Sequence, residues 1–430
     1  MALAADTARK PASALWWYGG VIVAACFIIF AVAYGVRLSF AIFFVALLEE
    51  FGWSRTLLAG VFSLGTLVFG CTSPVVGALL DRYGARRMML VGAALTGVSL
   101  VLCSRISAPW QLYLLYGVLL SLGIGFLGLV PQVGLLSRWF VRWFSSAVGF
   151  AFAGVGVSML LAGPLVQVII DRFGWRWAFV ALAGLVGAII VPLVLWVLKE
   201  GPEEVGRGPD GEPLEEVRER LDAAEDEQEG WTVARAAATV PFWALVGTFF
   251  FTPLGIFPIV VHHVVYLVDA GFSTLFAASV FGFQGVMSAV GKMAIGYLAD
   301  RLGRPGAILL SFGLSGVGIL ALLTVRDPSH LWRLYLFAAT FGFALGTRGP
   351  IVSAATADHF RGRRFGTIYG VVHLSNGVGG ALGPLVVGYL FDVSGSYTLG
   401  FLLAFACLIV AAASMLVAVL SPRATLGTAS

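Results

Sequence analysis

Charge is scarce in this chain. Asp, Glu, Lys and Arg make up 12% of its 430 residues, about half the share of a soluble globular domain. So small a polar supply cannot cover a water-facing surface, and a soluble enzyme or a disordered chain is excluded. Cysteine is rarer still. Cys26, Cys71, Cys103 and Cys407 all lie in apolar stretches, with no CxxC pair and no metal-ligand spacing. They read as small core hydrophobes, which leaves no metal site to expect. No basic stripe is interleaved with aromatics, so nucleic-acid binding has no support. The chain also lacks HExxH, GxSxG, a phosphate-binding loop and paired carboxylates within an apolar run. Neither an enzyme nor a bound cofactor is therefore expected.

What is present is apolar length. The chain is 59% hydrophobic, with a mean hydropathy of +0.94. Apolar runs cover residues 15–46, 56–80, 88–104, 109–137, 144–170, 177–198, 239–268, 273–299, 306–324, 332–357, 365–391 and 397–420. At 1.5 Å per residue each can cross about 30 Å of hydrocarbon. Strands of a transmembrane barrel are about ten residues of alternating polarity, so a barrel is excluded. The first run is too long for the core of a signal peptide and reads as a retained helix.

One connection is long. Thirteen of the 23 acidic residues lie between Glu200 and Glu229, in a segment too polar to bury a core. The expected organisation is an N-terminal six-helix bundle (1–198), an acidic linker (199–238) acting as a tether, and a C-terminal six-helix bundle (239–430). Outside the linker, thirteen basic residues lie at the termini or in even-numbered loops and six in odd-numbered loops. Positive-inside bias then puts both termini and the linker in the cytoplasm. The expected location is the inner (plasma) membrane of a bacterium.

The two halves repeat. Gly77-x-x-x-Asp81-Arg82-x-Gly84 returns as Gly296-x-x-x-Asp300-Arg301-x-Gly303, an offset of 219. Gly52 and Ser54 pair with Gly271 and Ser273 at the same offset, Gly163-Pro164-Leu165 with Gly383-Pro384-Leu385 at 220, and Asp171 with Asp392 at 221. Matches in order at near-constant spacing indicate duplicated bundles, the arrangement of transporters that rock about a central site. The fold class expected is an all-α polytopic membrane protein of twelve helices in two pseudo-symmetric bundles.

The stretch Gly77-Ala-Leu-Leu-Asp81-Arg82-Tyr-Gly84-Ala-Arg86-Arg87 resembles the loop motif of the major facilitator superfamily. The likeness extends over essentially the whole chain. Within that superfamily, Phe51-Gly52-Trp53-Ser54-Arg55, His262-x-x-x-Tyr266-Leu267-x-Asp269-x-Gly271 and Gly291-Lys292-Met-Ala-Ile-Gly296 resemble the monocarboxylate and oxalate/formate transporters. The resemblance implies that Gly77, Asp81, Arg82, Gly84, Arg86 and Arg87, with Gly296, Asp300 and Arg301 in the second copy, form a conformational latch. It also implies a carboxylate-gripping cation in the eighth helix. Many relatives have arginine there, whereas this chain has Lys292, which keeps the charge and loses the bidentate fork. Some relatives carry an acid one turn earlier, where this chain has Ser288.

The residues point the same way without the likeness. No Asp or Glu lies in the middle of an apolar run, yet Arg37, Lys292 and Arg348 lie within the first, eighth and tenth. A cation at mid-membrane costs about 2.5–3.5 kcal/mol on insertion scales. Without an internal acid it needs water, a carbonyl or an anion, and the favoured substrate is an anion. Each cation also has a structural reading: Lys292 can snorkel, Arg348 can bond carbonyls freed by Gly346 and Pro350, and Arg37 can serve a gate. Gln284 and Ser288 share a helical stripe with Lys292, and Tyr369, His373 and Asn376 share one on the eleventh helix. His262, His263 and His373 are either interhelical hydrogen bonds or, if they face the cavity, proton carriers. His262 matches the family pattern, and Gln132 is the polar residue of the fourth helix.

The function expected is secondary transport of small organic anions, most simply monocarboxylates, by alternating access with proton symport or anion exchange (antiport). The substrate site would be drawn from Lys292, Arg348, Arg37, His262, Gln284, Ser288, Tyr369, His373, Asn376 and Gln132. The alternatives are a dicarboxylate transporter, an exporter of amphipathic drugs or neutral metabolites, and a solute sensor that recruits a partner through its linker. The partners expected are the anion, the lipid bilayer and protons as coupling ion. The two bundles are complete in one chain, which predicts a monomer.

Overall fold

The computed structural model describes residues 18–141, 143–211, 231–360 and 365–421. At some helical positions, Asp81, Gly296, Asp300 and Arg348 among them, the side chain lies outside the described residues. The crossings are α1 (Tyr18–Phe51), α2 (Arg55–Tyr83), α3 (Ala85–Cys103), α4 (Pro109–Trp139), α5 (Phe144–Phe173) and α6 (Trp175–Val197) in the first half. The second half has α7 (Val240–Asp269), then α8 and α9, the two parts of Thr274–Leu323 on either side of Gly303. It ends with α10 (Leu331–Phe360), α11 (Phe365–Ser394) and α12 (Thr398–Leu420). Among the described residues there is no strand, and eleven of these helices are long and apolar enough to cross a membrane. The remaining expected crossing coincides with α10, whose described apolar stretch is Leu331–Leu345. The chain is an all-α integral membrane protein, as its apolar runs require.

The duplication is visible in the backbone. Ser54 caps α2 by accepting from the Leu57 amide at 3.2 Å, and Ser273 caps α8 by accepting from Phe276 at 3.3 Å. Each satisfies an amide that the first helical turn leaves unpaired. Gly84 (φ 78°, ψ 163°) turns α2 into α3, and Gly303 (φ 69°, ψ 167°) turns α8 into α9. Only glycine adopts that combination without a Cβ clash, which is the physical content of the repeated motif.

Within the first half α1 packs on α5, and α3 on α4 and α6; within the second, α7 packs on α11 and α12, and α10 against the α8–α9 pair. The halves meet where α2 lies on α11, α5 on α8, and the end of α1 on α7. Small residues make those contacts close. A Cβ on Gly70 of α2 would sit 3.3 Å from the Gly377 Cα of α11, and one on Gly156 of α5 would sit 3.1 Å from the Gly285 carbonyl oxygen of α8. Helices in lipid associate through such small-residue seams because no hydrophobic force separates helix from acyl chain.

The acidic linker is more than a tether at its ends. Glu200 accepts from the Ala85 and Arg86 amides at 2.9 and 2.8 Å, capping α3. Asp210 accepts from the Val141 amide at 3.1 Å, just before α5. On the far side Trp231 is buried with its ring edge-on to Phe360, and Val233–Ala237 forms a short helix beside α7. Carboxylates are favoured at helix N-termini because the unpaired amides and the helix dipole both present positive charge. Two of the acids that made this segment look like a tether, Glu200 and Asp210, dock its first end.

Candidate functional site

α1 is interrupted at Ser39, whose Oγ donates to the Val36 carbonyl at 2.8 Å. The carbonyls of the last turn before the interruption accept from the Tyr116 hydroxyl, Val36 at 3.0 Å and Arg37 at 3.2 Å. This holds Arg37 in the interior. Its guanidinium donates to Thr66 Oγ1 of α2 at 3.2 Å and stacks over the Phe69 ring at 4.3 Å. Thr66 and Phe62 reach the other bundle: a Cβ on Gly380 of α11 would lie 2.9 Å from the Thr66 methyl, and the Phe62 ring meets Phe257 of α7 edge-on. Arg37 is therefore held at the seam between the halves by a hydroxyl and aromatic rings.

On α8 the contacts decide which face is which. Gln284 and Gly291 lie on α10, and Gly282 and Gly285 lie on α5. Met293 is 84% exposed, and Phe283 and Val290 are also exposed on that outer face. At 100° per residue, Ser288 and Lys292 fall between the α10 and α5 contacts, on the inner side, and Gln284 lies at the α10 edge of that stripe. Gln284 is completely buried with neither amide atom hydrogen-bonded. Ser288 is buried, Lys292 is half-buried, and neither has a hydrogen-bond or ion-pair partner among the described residues. The three ion pairs found there, Arg55–Asp269, Arg138–Glu200 and Arg176–Glu50, all lie at helix ends. By helical rise, Arg37, Ser288 and Lys292 lie about 20–27 Å from the linker-distal ends of their helices, so they share a layer of the bundle.

The other expected residues divide. On α11, Tyr369 stacks on His373 with ring centroids 5.9 Å apart, and both meet Phe249 of α7. Asn376 adjoins the Gly377 seam. Gln132 is buried, with its Nε2 donating to the Leu127 carbonyl at 2.7 Å, which mends the break in α4 at Gly128. His263 is buried among Phe281 and Phe337 with its Nδ1 on the Ile259 carbonyl. His262 is not brought to the cations. It lies near the linker-distal end of α7, with Nε2 on the Pro384 carbonyl at 3.0 Å and Nδ1 facing the Tyr397 hydroxyl at 3.3 Å.

That end of the molecule carries a cluster that sequence reasoning missed as a unit. Arg55 binds Asp269 through both terminal nitrogens at 2.7 and 2.9 Å, donates to Tyr397 Oη at 2.7 Å and stacks on Phe391 at 4.0 Å. Asp392 of α11 accepts from the Arg55 and Thr56 amides at 3.1 and 2.8 Å and from the Thr56 hydroxyl, and so caps α2 from the opposite bundle. The signals were present, since Arg55 and Asp269 belong to two stretches of the family resemblance and Asp392 is half of the Asp171 repeat. Their meeting was not readable. Among the described residues, every hydrogen bond and ion pair between the two halves lies at this end. The structure is closed there.

The latch residues are arranged within the first bundle. Arg86 donates to the Val194 and Leu195 carbonyls of α6 at 3.2 and 2.7 Å, Gly77 faces Val130 of α4, and Arg82 and Arg87 are exposed. Arg301 is exposed in the second copy, and Asp81, Gly296 and Asp300 lie outside the described residues.

Comparison with known proteins bears on the fold and the family. The sequence pattern of the Major Facilitator Superfamily matches residues 25–346 and again 277–429, the overlap reflecting the duplication. Monocarboxylate transporter 13 of Bos taurus is 31% identical over 401 residues, covering 91% of this chain and 87% of the relative. Monocarboxylate transporter 11 of Homo sapiens is 32% identical over 401 residues, covering 90% and 80%. Among solved structures, a bacterial homologue of the human lysosomal transporter Spinster, inward-facing and unoccupied, superposes with a TM-score of 0.69 at 16% identity, covering 96% of this chain and 98% of the other. That likeness speaks for the fold alone. With helices, repeat and relatives in agreement, this chain is a membrane transporter, not an enzyme, and belongs to the major facilitator superfamily and, within it, to the monocarboxylate transporter family.

Proposed function

We propose that the protein is a secondary transporter of small organic anions, monocarboxylates first among them. The observation that carries this reading is the pair of interior cations, Arg37 and Lys292, with no carboxylate against either among the described residues. An anion entering their layer would supply the missing charge, and Gln284 and Ser288 would supply hydrogen bonds to its oxygens. Arg348 belongs to the proposed site by its sequence position. Tyr369, His373 and Asn376 of α11 belong to the proposed site by their shared helical stripe rather than by a contact with the cations. The carboxylate relatives bear their names for the same class of solute, which supports the reading. Anion binding would let the halves rock apart at the linker-distal contact and close at the other end. Positive-inside bias favours a cytoplasmic linker side, with which the closed end would face outward. The latch motif and the docked linker would hold the cytoplasmic loops during that motion.

The test is uptake of labelled mono- and dicarboxylates of two to six carbons into proteoliposomes, with and without an inward proton gradient, for the wild type, Lys292→Ala and Arg348→Ala. Saturable uptake of one acid, abolished by either change, is expected. Stimulation by the gradient would assign symport, and stimulation by internal anion would assign exchange. Full uptake by both variants, or uptake of no acid, would refute the reading and turn attention to neutral or amphipathic solutes.

A further inference from the structure

His262 is fully enclosed, and the hydrogen bonds around it have one consistent direction. The Pro384 carbonyl can only accept, so His262 Nε2 carries a proton and Nδ1 is left as an acceptor. The Arg55 guanidinium can only donate, so Tyr397 Oη accepts from it and turns its own proton toward His262 Nδ1. Burial raises the Tyr397 phenol above its ordinary value, which keeps it a donor. The result is a directed chain, Asp269 ← Arg55 → Tyr397 → His262 → Pro384, running from α2 of one bundle into α7, α11 and α12 of the other.

We infer that this chain is a proton-operated latch on the linker-distal gate, with His262 as the proton site. The inference rests on the reading of that contact as a gate that opens in the transport cycle. A proton on Nδ1 turns the acceptor into a donor. The Tyr397 oxygen would then face N–H groups from both Arg55 and His262 with no acceptor for its own hydroxyl. A second cation would also stand near the Arg55 guanidinium, on a ring that is completely buried while the carboxylates Asp269 and Asp392 lie exposed at the rim. The surroundings offer little relief. α1 contributes the edge of Phe44, α2 contributes Arg55, α11 contributes Asp392, and α7 itself contributes His263 and Tyr266 besides Asp269. Asp269 is paired with Arg55, and Asp392 is occupied by the first amides of α2. Separating the bundles removes Arg55 from Tyr397 and exposes the imidazole to water. Proton binding and gate opening therefore favour one another, as linkage requires.

The experiment uses spin labels in place of Trp177 and Trp332, exposed residues at the linker-distal starts of α6 and α10. The four native cysteines are replaced, and the full chain sits in nanodiscs without substrate. Pulsed dipolar spectroscopy then gives the open-to-closed ratio between about pH 8 and about pH 5.5, the range in which imidazole changes charge. For the wild type the ratio should rise up to about 10-fold by pH 5.5, the most that one site with a free imidazole's affinity in the open state can supply. His262→Gln should abolish the rise. Tyr397→Phe, which removes the intervening hydroxyl, should abolish it too and serves if the first variant does not fold. A flat wild-type response would overturn the latch, and an acid response retained in both variants would overturn it too, by showing that His262 is not the proton site. Because no substrate is present, failure of the anion reading in the uptake panel would leave this result standing, and the converse holds.

Discussion

Replacing Lys292 with methionine should make the protein more stable and less able to bind. The ammonium is half-buried on the inner face of α8, has no ion-pair or hydrogen-bond partner among the described residues, and lies below two buried, unpartnered or polar neighbours, Gln284 and Ser288. An unpaired cation at membrane depth costs about 2.5–3.5 kcal/mol. The long stem and partial exposure relieve some of that, so Lys292→Met should stabilise the empty protein by about 1–3 kcal/mol. Methionine fills nearly the same volume and leaves the α10 seam at Gly291 undisturbed. The same change removes a charge-assisted hydrogen bond to the substrate, worth about 1.5–3 kcal/mol, so Kd should rise about 10–150-fold. Thermal unfolding in nanodiscs gives the first quantity and titration calorimetry with the transported anion gives the second. A variant that melts earlier than wild type and binds equally well would show that Lys292 serves the scaffold, and the assignment of the anion site to α8 would fall.

Asp392→Ala removes a cap that exists only when the bundles touch at the linker-distal end. A cap of this kind is worth about 0.5–2 kcal/mol, so the open-to-closed ratio of the Trp177/Trp332 label pair should rise about 2–30-fold, and no change would mean that the contact is incidental. Gln284→Leu deletes two buried, unpaired amide atoms. It should raise the melting temperature of the empty protein while weakening anion uptake, and a lowered melting temperature would show that the amide has a structural partner. Glu200→Ala uncaps α3 at Ala85 and Arg86. Amide exchange across residues 85–88 should accelerate with a loss of about 1 kcal/mol, and exchange equal to wild type would return the linker end to the status of a tether.

Much of the architecture is written locally. Apolar run length fixes how many helices there are, because a lipid environment leaves backbone amides no partner except their own helix. The repeated Gly84 and Gly303, and the repeated Ser54 and Ser273, place turns and caps at matching points of both halves, since each acts on its immediate neighbours. The shortage of acids within the runs already singled out Arg37, Lys292 and Arg348, because membrane depth penalises charge wherever the helix later packs. Spacing alone also put Gln284, Ser288 and Lys292 on one stripe, and the packing of α8 shows that stripe facing inward.

Other features depend on residues far apart in the chain. Arg55 and Asp269 are 214 positions apart, and nothing in either segment says that one will clamp the other. His262 looked like a cavity residue by its resemblance and by its place in an apolar run. Only the approach of α2, α11 and α12 makes it the end of a gate chain. Gln132 was legible as the polar residue of the fourth helix; that its Nε2 would bond the Leu127 carbonyl freed by the break at Gly128, leaving Oε1 buried without a hydrogen bond, was not. Glu200 looked like one more charge in a tether until α3 presented its open amides. Helices, their turns and the cost of each buried charge follow from the local sequence because backbone hydrogen bonds and desolvation act over one or two turns. Which charge meets which partner is set by the packing of the two bundles, because directional contacts form only after the small-residue seams have brought the helices into register.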